Sequence, residues 1–112
     1  MSLSFKGFEN AALTLAVKEK IPAGTVVALS GSGEVAPALA YDCPFGVVMN
    51  SDDEYACVLV KGVAEMPCDS SVCAGYMQLE TNENGQIIES SDGVAKFVIS
   101  VDEDKGSALV LL

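Results

Sequence analysis

The chain has 112 residues, of which 50% are hydrophobic and none is histidine, and its formal net charge is −10. This length and apolar content predict one globular domain with a single core, and they exclude general disorder and a membrane span of about 20 apolar residues. The acidic charge excludes a nucleic-acid or anionic-lipid binder, because such proteins need clustered basic side chains to neutralise phosphates.

The first predicted element is a strand at residues 12–17, ALTLAV. The surrounding segment 9–20 is rich in helix-forming residues, so a helix is the competing interpretation. The alternation of side-chain polarity within ALTLAV favours the strand. We expect residues 1–11, which lack the residue order of a signal peptide, to form an N-terminal arm. We expect residues 12–112 to form a single β domain.

The remaining strands are predicted from β-branched and apolar runs that are separated by turn residues. These runs are TVVALS (25–30), FGVVMN (45–50), YACVLVKGVAEM (55–66), GYMQLE (75–80), GQIIES (85–90), AKFVISV (95–101) and SALVLL (107–112). Glycine and proline interrupt the chain too often for long helices. Short strands with regularly spaced turns predict an all-β fold, either a small barrel or a sandwich.

The clearest local signal is Asn84-Gly85, which lies between two apolar runs and predicts a β-hairpin with positive φ at the turn. The surrounding stretch 80–91, ETNENGQIIESS, spaces its asparagines and glycine like a calcium-binding loop. However, Ser91 stands where such a loop needs a bidentate acid, and the flanking helices are missing. We therefore predict a hairpin and no calcium site.

Cys43 raises the question of a reactive thiol, because it lies in the turn-like stretch YDCPFG at 41–46. A reactive thiol needs positively charged surroundings that stabilise the thiolate. Asp42 is adjacent, and no basic residue is near in the sequence. We interpret the stretch as a turn that directs Phe45 into the core and lets Gly46 begin a strand.

The other catalytic patterns are incomplete. Without histidine, a serine or cysteine nucleophile lacks its commonest base. A serine–lysine pair using Lys61 or Lys96 is open in principle, but no motif places a serine beside either lysine. The glycine-rich stretch GSGEVA at 31–36 lacks the Gly-Lys-Ser/Thr ending of a phosphate loop. We therefore predict that the chain is not an enzyme.

Metal and cofactor sites are also not predicted. The acid clusters SDDE at 51–54 and DEDK at 102–105 are typical of solvated turns between strands. The chain contains four cysteines, namely Cys43, Cys57, Cys68 and Cys73. We expect them to be reduced, because the spacing of Cys68 and Cys73 fits neither a redox motif nor a zinc site. A disulfide between these two residues stays an open alternative.

The order of the structural residues is itself informative. Ala23-Gly24 opens a Val-Val strand, Phe45-Gly46-Val47-Val48 follows an acidic turn, and Ala74-Gly75 precedes a strand and the Asn-Gly hairpin. This order, over residues 12–112, resembles that of the capsid decoration proteins of tailed phages, which include head-fibre bases and capsid cement proteins. The chain departs from that pattern at AKFVIS, where such proteins often carry an Ile-Gly strand opening.

The resemblance implies a non-enzymatic virion structural protein, assembled in the host cytoplasm, that decorates and stabilises the outside of a phage capsid. It also implies a homotrimer that contacts the phage major capsid protein and is a candidate base for a head fibre. Two aromatic residues of the arm and two apolar residues at the C-terminus are candidate oligomer or capsid contacts. These four residues are Phe5, Phe8, Leu111 and Leu112.

A second interpretation rests on a shorter resemblance. The stretch KIPAGTVVALS at 20–30 resembles the Ile-Pro-Ala-Gly opening of β-clip domains. It implies a small ligand-binding module of cellular origin, for which a pocket lined by convergent polar groups would be expected.

Overall fold

The computed structural model describes residues 10–112, so Phe5 and Phe8 of the predicted arm lie outside the described residues. Within 10–112 the chain forms ten strands and no helix, which confirms the all-β prediction. The strands are β1 Ala11–Ala16, β2 Val26–Gly31, β3 Glu34–Pro37, β4 Gly46–Ser51, β5 Tyr55–Lys61, β6 Val63–Pro67, β7 Gly75–Thr81, β8 Ile87–Glu89, β9 Val94–Asp102 and β10 Ser107–Leu111. No helix in this part of the chain could cross a membrane.

The first five strands form a closed barrel in the order β1-β3-β2-β4-β5, and β1 closes it by pairing antiparallel with β5. Strands β1 and β3 run parallel, with Ala16 opposite Glu34. Closure leaves these strands without a free edge, which removes the usual site of unwanted strand pairing. The barrel is filled by small aliphatic side chains, namely Val17, Ile21, Val27, Val35, Val48, Ala56 and Val58.

The other five strands form an antiparallel sheet in the order β6-β10-β9-β7-β8, which we call the second sheet. One face of this sheet packs against the outside of the barrel. Successive side chains of a strand point in opposite directions. Consecutive residues of the barrel wall therefore point alternately into the barrel and toward the second sheet. Val27 points into the barrel, whereas its neighbour Val26 packs against the second sheet.

The predicted single core is therefore divided into two clusters of buried side chains by the barrel wall. The cluster between barrel and second sheet contains Val26, Ala38, Val47, Ala64, Met66, Cys68, Val72, Leu79, Ile87, Val98, Ala108 and Val110. Strands β2 and β4 have apolar neighbours on both faces, which explains why their sequences are continuous apolar runs rather than alternating ones.

Gly62 joins the barrel to the second sheet. It separates β5 from β6 within the segment 55–66, which the sequence predicted as one strand region, and its φ is +118°. A Cβ at this position would collide with the side-chain oxygen of Asn10. The backbone oxygen of Gly62 also accepts a hydrogen bond from the N–H of Leu112 at 2.8 Å.

The predicted Asn-Gly hairpin connects β7 and β8. Gly85 has φ of +75°, which confirms the predicted positive φ at the turn. The side-chain oxygen of Asn82 accepts hydrogen bonds from the N–H groups of Asn84 and Gln86 at 2.9 and 3.0 Å. The asparagine therefore shapes the turn, which accounts for the residue pattern that resembles a calcium loop.

Candidate interaction surfaces

The cysteines and acidic side chains that were considered as reactive or metal-binding groups are dispersed over the fold or form hydrogen bonds within turns. Among residues 10–112 there is no group of three or more His, Cys, Asp or Glu side chains that could hold a metal ion. All four cysteines are unpaired, including Cys68 and Cys73. Burial, together with the nearby Asp69 carboxylate, raises the pKa of the Cys68 thiol, which disfavours the reactive thiolate form.

The two acid clusters are turns in which a carboxylate accepts hydrogen bonds from backbone N–H groups of the same turn. One carboxylate oxygen of Asp52 accepts hydrogen bonds from the N–H groups of Glu54 and Tyr55, both at 2.8 Å. These two bonds stabilise the ionised form and lower the pKa of Asp52. Asp102 caps its own turn in the same way, accepting from Asp104 and Lys105 at 3.1 and 3.2 Å.

The outer face of the second sheet carries a row of apolar side chains that crosses four strands. Tyr76 of β7 lies opposite Phe97 of β9, Phe97 lies opposite Leu111 of β10, and Leu111 lies opposite Val63 of β6. We call these four residues the aromatic row. Their strand neighbours Val98 and Val110 point into the core, so the row points away from it.

The aromatic row is open to solvent. Tyr76 and Phe97 are 66% and 54% exposed, and their ring centroids lie 4.8 Å apart with the planes tilted by 48°. Ile99, next to the row on β9, is also exposed. The two rings and Ile99 thus present contiguous apolar area to water, and such patches mark interaction sites when they are large.

The two C-terminal candidate residues have different surroundings. Leu111 is half-buried within the aromatic row, in register with Phe97. Leu112 packs partly against the core cluster, and its N–H group is bonded to Gly62. The structure thus brings Leu111, but not Leu112, together with the exposed aromatic side chains.

A second exposed apolar element is the segment 38–45, which we call the Tyr41 loop. Tyr41 is 83% exposed and Leu39 is 67% exposed, so neither side chain contributes much to the core. Tyr41 has φ of +68°, the left-handed region that residues with a Cβ rarely adopt. The loop therefore presents an aromatic side chain to solvent from a strained backbone position.

The Tyr41 loop is nevertheless held firmly to the second sheet. The N–H of Tyr41 donates to the Thr81 carbonyl at 2.9 Å, and the N–H of Thr81 donates to the Asp42 carbonyl at 2.9 Å. The carboxylate of Asp42 accepts the N–H of Leu39 at 2.8 Å within the loop. Cys43 is exposed beside these residues, and Phe45 packs against the barrel core, as expected for a turn.

Sequence reasoning identified Leu111 but missed Tyr76, Phe97 and Tyr41. The two aromatic residues on the sheet lie in predicted strands, and only the strand register shows that they share an outer face. Tyr41 lies two residues before Cys43, in the stretch that was predicted only as a turn. A left-handed tyrosine leaves no local sequence signal, because the residues expected at such a position are glycine, asparagine and aspartate.

Among solved structures, a phage protein has a fold similar to that of this chain. The chain is similar to the head fibre gp8.5 N base of bacteriophage phi29, with a TM-score of 0.65 and 17% sequence identity over 93% of this chain and 94% of that one. No family model matches the chain, and no curated protein matches its sequence. At this identity the similarity concerns the fold, which is like that of a phage head-fibre base.

Proposed function

We propose that the chain is a non-enzymatic virion structural protein that sits on the outer surface of a phage capsid, either as a decoration protein or as the base of a head fibre. The observation that carries this proposal is the fold similarity to the phi29 head-fibre base, which extends over nearly the whole of both chains. The exposed apolar side chains of the described residues suit a protein that works through contacts rather than chemistry.

The charge of the chain supports a position outside the capsid. A net charge of −10 repels the phosphates of packaged DNA, so the outer surface is electrostatically favoured over the interior of the head. The acids cluster in turns such as 52–54 and 102–104, at the ends of strands. Turns of this kind are suited to face solvent or a basic patch of a partner.

We assign the contact with the major capsid protein to the Tyr41 loop. The loop is ordered by its hydrogen bonds to Thr81 before any partner is present, so binding would cost little additional conformational entropy. Its exposed Tyr41 is a residue type that is enriched among the strong contacts of interfaces. In this proposal the chain is a homotrimer that adds these contacts to the shell and stabilises it against internal pressure.

The proposal is tested with virions of the phage that encodes the chain. We expect mass spectrometry of purified virions to detect the chain, and antibody labelling to place it on the outside of intact heads. Heads that lack the chain should release their DNA at a lower temperature, and adding the purified protein should restore the original temperature. Absence of the chain from purified virions would refute the proposal.

The alternative of a small ligand-binding module has one supporting feature. A groove of about 400 Å³ lies beside Tyr76 and is lined by Gln78, Glu89, Ser90 and other residues of β7 to β9. The groove is wide open, whereas small-molecule sites usually enclose most of the ligand. Native mass spectrometry of freshly purified protein separates the two proposals, because a monomer with a bound small molecule would favour the ligand-binding module.

A further inference from the structure

We infer that the aromatic row of one copy is covered by the aromatic rows of other copies of this chain. This inference deepens the proposed homotrimer and rests on it, since it names the surface through which the copies meet. Around a symmetry axis, the rows of the three copies would face one another and bury Tyr76 and Phe97.

The alternation of side chains along the strands fixes the position of the aromatic row. The alternation of β9 and β10 places Val98 and Val110 in the core, with 3% and 0% exposure, and turns Phe97 and Leu111 outward. The row thus follows from the strand register and spans the four longer strands of the second sheet. A single exposed apolar residue needs no explanation, whereas a continuous row that contains a pair of aromatic rings in contact does.

The aromatic row exposes a substantial apolar area. A buried aromatic side chain covers about 150–250 Å², so the exposed fractions of Tyr76 and Phe97 leave on the order of 200 Å² open in these two residues. Ile99 and the half-buried Leu111 add to this area. The total approaches the size of the largest apolar patch on a typical monomer, about 300–600 Å², which is often functional.

The charge around the aromatic row favours a second copy of this chain as its occupant. The aromatic row has no side chain that is charged at neutral pH, and the adjacent outward positions Gln78, Ala95 and Leu109 are also uncharged. The nearest acids lie at its two borders, where Glu89 lines the groove beside Tyr76 and Glu65 lies in register with Leu109. Two copies of a chain with a charge of −10 repel each other, and they can approach most easily where acids are absent. Salt screens such repulsion beyond about 8 Å at physiological ionic strength, so acids at a distance matter little.

A basic partner would be attracted to a different surface. Its favourable sites are the acid-bearing turns, where carboxylates are concentrated, rather than a face without charge. On the outer face of β6, Glu65 lies in register with Leu109, at the edge strand of the sheet. Glu65 and Glu89 mark the two borders of the uncharged region, and a copy seated on the row need not cover either of them.

The edges of the second sheet do not offer a competing way to associate. The edge strand β8 has three residues, and the edge strand β6 carries Glu65 and ends at Pro67, which has no N–H to donate. Short, charged or proline-containing edges disfavour strand addition by another copy. Face-to-face packing through the aromatic row is therefore the favoured mode.

The experiment measures self-association of the full chain by native mass spectrometry and sedimentation. We expect the wild-type protein to be an oligomer, and the double substitution Tyr76→Ser with Phe97→Ser to raise the dissociation constant by more than about tenfold. The matched control is Tyr55→Ser on the barrel, where a tyrosine of similar exposure lies outside the second sheet. This control should leave association unchanged.

A second measurement uses the wild-type protein, so its result does not depend on whether the double variant folds. Chemical nitration of tyrosines should modify Tyr55 at all protein concentrations, but Tyr76 only where dilution has dissociated the oligomer. Added salt should also strengthen association, because it screens repulsion between acidic copies. Binding through a basic partner would show the opposite salt dependence.

The outcomes separate this inference from the proposed function. An oligomeric wild type whose double variant folds and associates equally well would overturn the inference and leave the proposed homotrimer intact. An oligomer in which Tyr76 is nitrated as readily as Tyr55 would do the same. A monomeric wild type at all concentrations would overturn both the inference and the homotrimer, while the presence of the chain in virions would still decide its location.

Discussion

The hydroxyl of Thr81 donates a hydrogen bond to the backbone carbonyl of Leu39 at 2.6 Å, across 42 positions of the chain. The same hydroxyl lies 3.1 Å from the carbonyl of Asp42. Thr81 is fully buried at the end of β7, so a residue of the second sheet holds the barrel loop that exposes Tyr41. This contact links the two halves of the fold at the proposed capsid-binding element.

The first prediction concerns this link. Thr81→Val keeps the shape of the side chain but removes the hydroxyl that donates to the part-buried carbonyls of Leu39 and Asp42 in the Tyr41 loop. We expect a loss of about 1–2 kcal/mol in the free energy of unfolding, measured in urea, because those carbonyls lose a partner. The exposed Thr14 provides the matched control, and Thr14→Val should change stability by less than about 0.5 kcal/mol. Equal effects at both sites would contradict the anchoring role of Thr81.

The second prediction concerns the backbone strain at Tyr41. Tyr41→Asn places a residue that tolerates the left-handed region at φ of +68° and removes an exposed ring. We expect the variant to be more stable by about 0.5–1 kcal/mol and to bind capsids more weakly. Thermal unfolding and co-sedimentation with heads measure the two effects. A destabilised variant with normal capsid binding would show that the ring serves the fold instead.

The third prediction concerns the close approach of β4 and β5 at Gly46. A Cβ there would lie 2.5 Å from the backbone oxygen of Leu59 and 2.6 Å from a methyl group of Val58. We expect Gly46→Ala to destabilise the protein by about 1–3 kcal/mol, because the two paired strands must move apart. At Gly31 the nearest atom would be at 3.8 Å, so Gly31→Ala is the control. Denaturant unfolding of both variants should rank Gly46→Ala as clearly less stable.

The fourth prediction concerns pH and Asp52. The pKa of this carboxyl is lowered from 3.8 by hydrogen bonds from the N–H groups of Tyr55 and Glu54. A lowered pKa in the folded state contributes stability above the unfolded value, and this contribution is lost as the pH falls through the folded value. Stability should therefore decrease below about pH 4.

The variant Asp52→Asn tests this dependence. We expect it to be less stable than the wild type at pH 7 and to show a flatter decline at acid pH, because the ionised acceptor is gone. Asp53→Asn is the neighbouring control, since the described residues provide no hydrogen bond to the Asp53 carboxylate. Unfolding curves at several pH values would contradict the prediction if Asp52→Asn followed the wild type throughout.

Several features of the fold were predictable because they depend on neighbouring residues. The β-branched runs predicted most of the strands, and Asn84-Gly85 predicted the hairpin between β7 and β8. The turn at Cys43 was also predicted, including the placing of Phe45 against the core. Each of these features follows from side-chain shape and backbone preference within a few residues.

The candidate site was predicted only in part. The apolar C-terminus directed attention to Leu111 and Leu112, but the structure places only Leu111 beside the exposed aromatic pair. The four members of the aromatic row come from four different strands, and the two strand pairs β6–β10 and β7–β9 join segments that are not consecutive in the chain. Their common face depends on strand order and register, which are set by long-range hydrogen bonds rather than by local preference.

The sequence by itself thus determined the all-β character, the main turns and the acidic, histidine-free surface chemistry. Only the tertiary structure decided that the strands close into a barrel, that Gly62 sends the chain into a second sheet, and that Tyr41 is held in a left-handed conformation by Thr81. The physical reason is the range of the interactions. Turn and strand preferences act between neighbours, whereas barrel closure and the outer face of the sheet depend on pairing between distant segments.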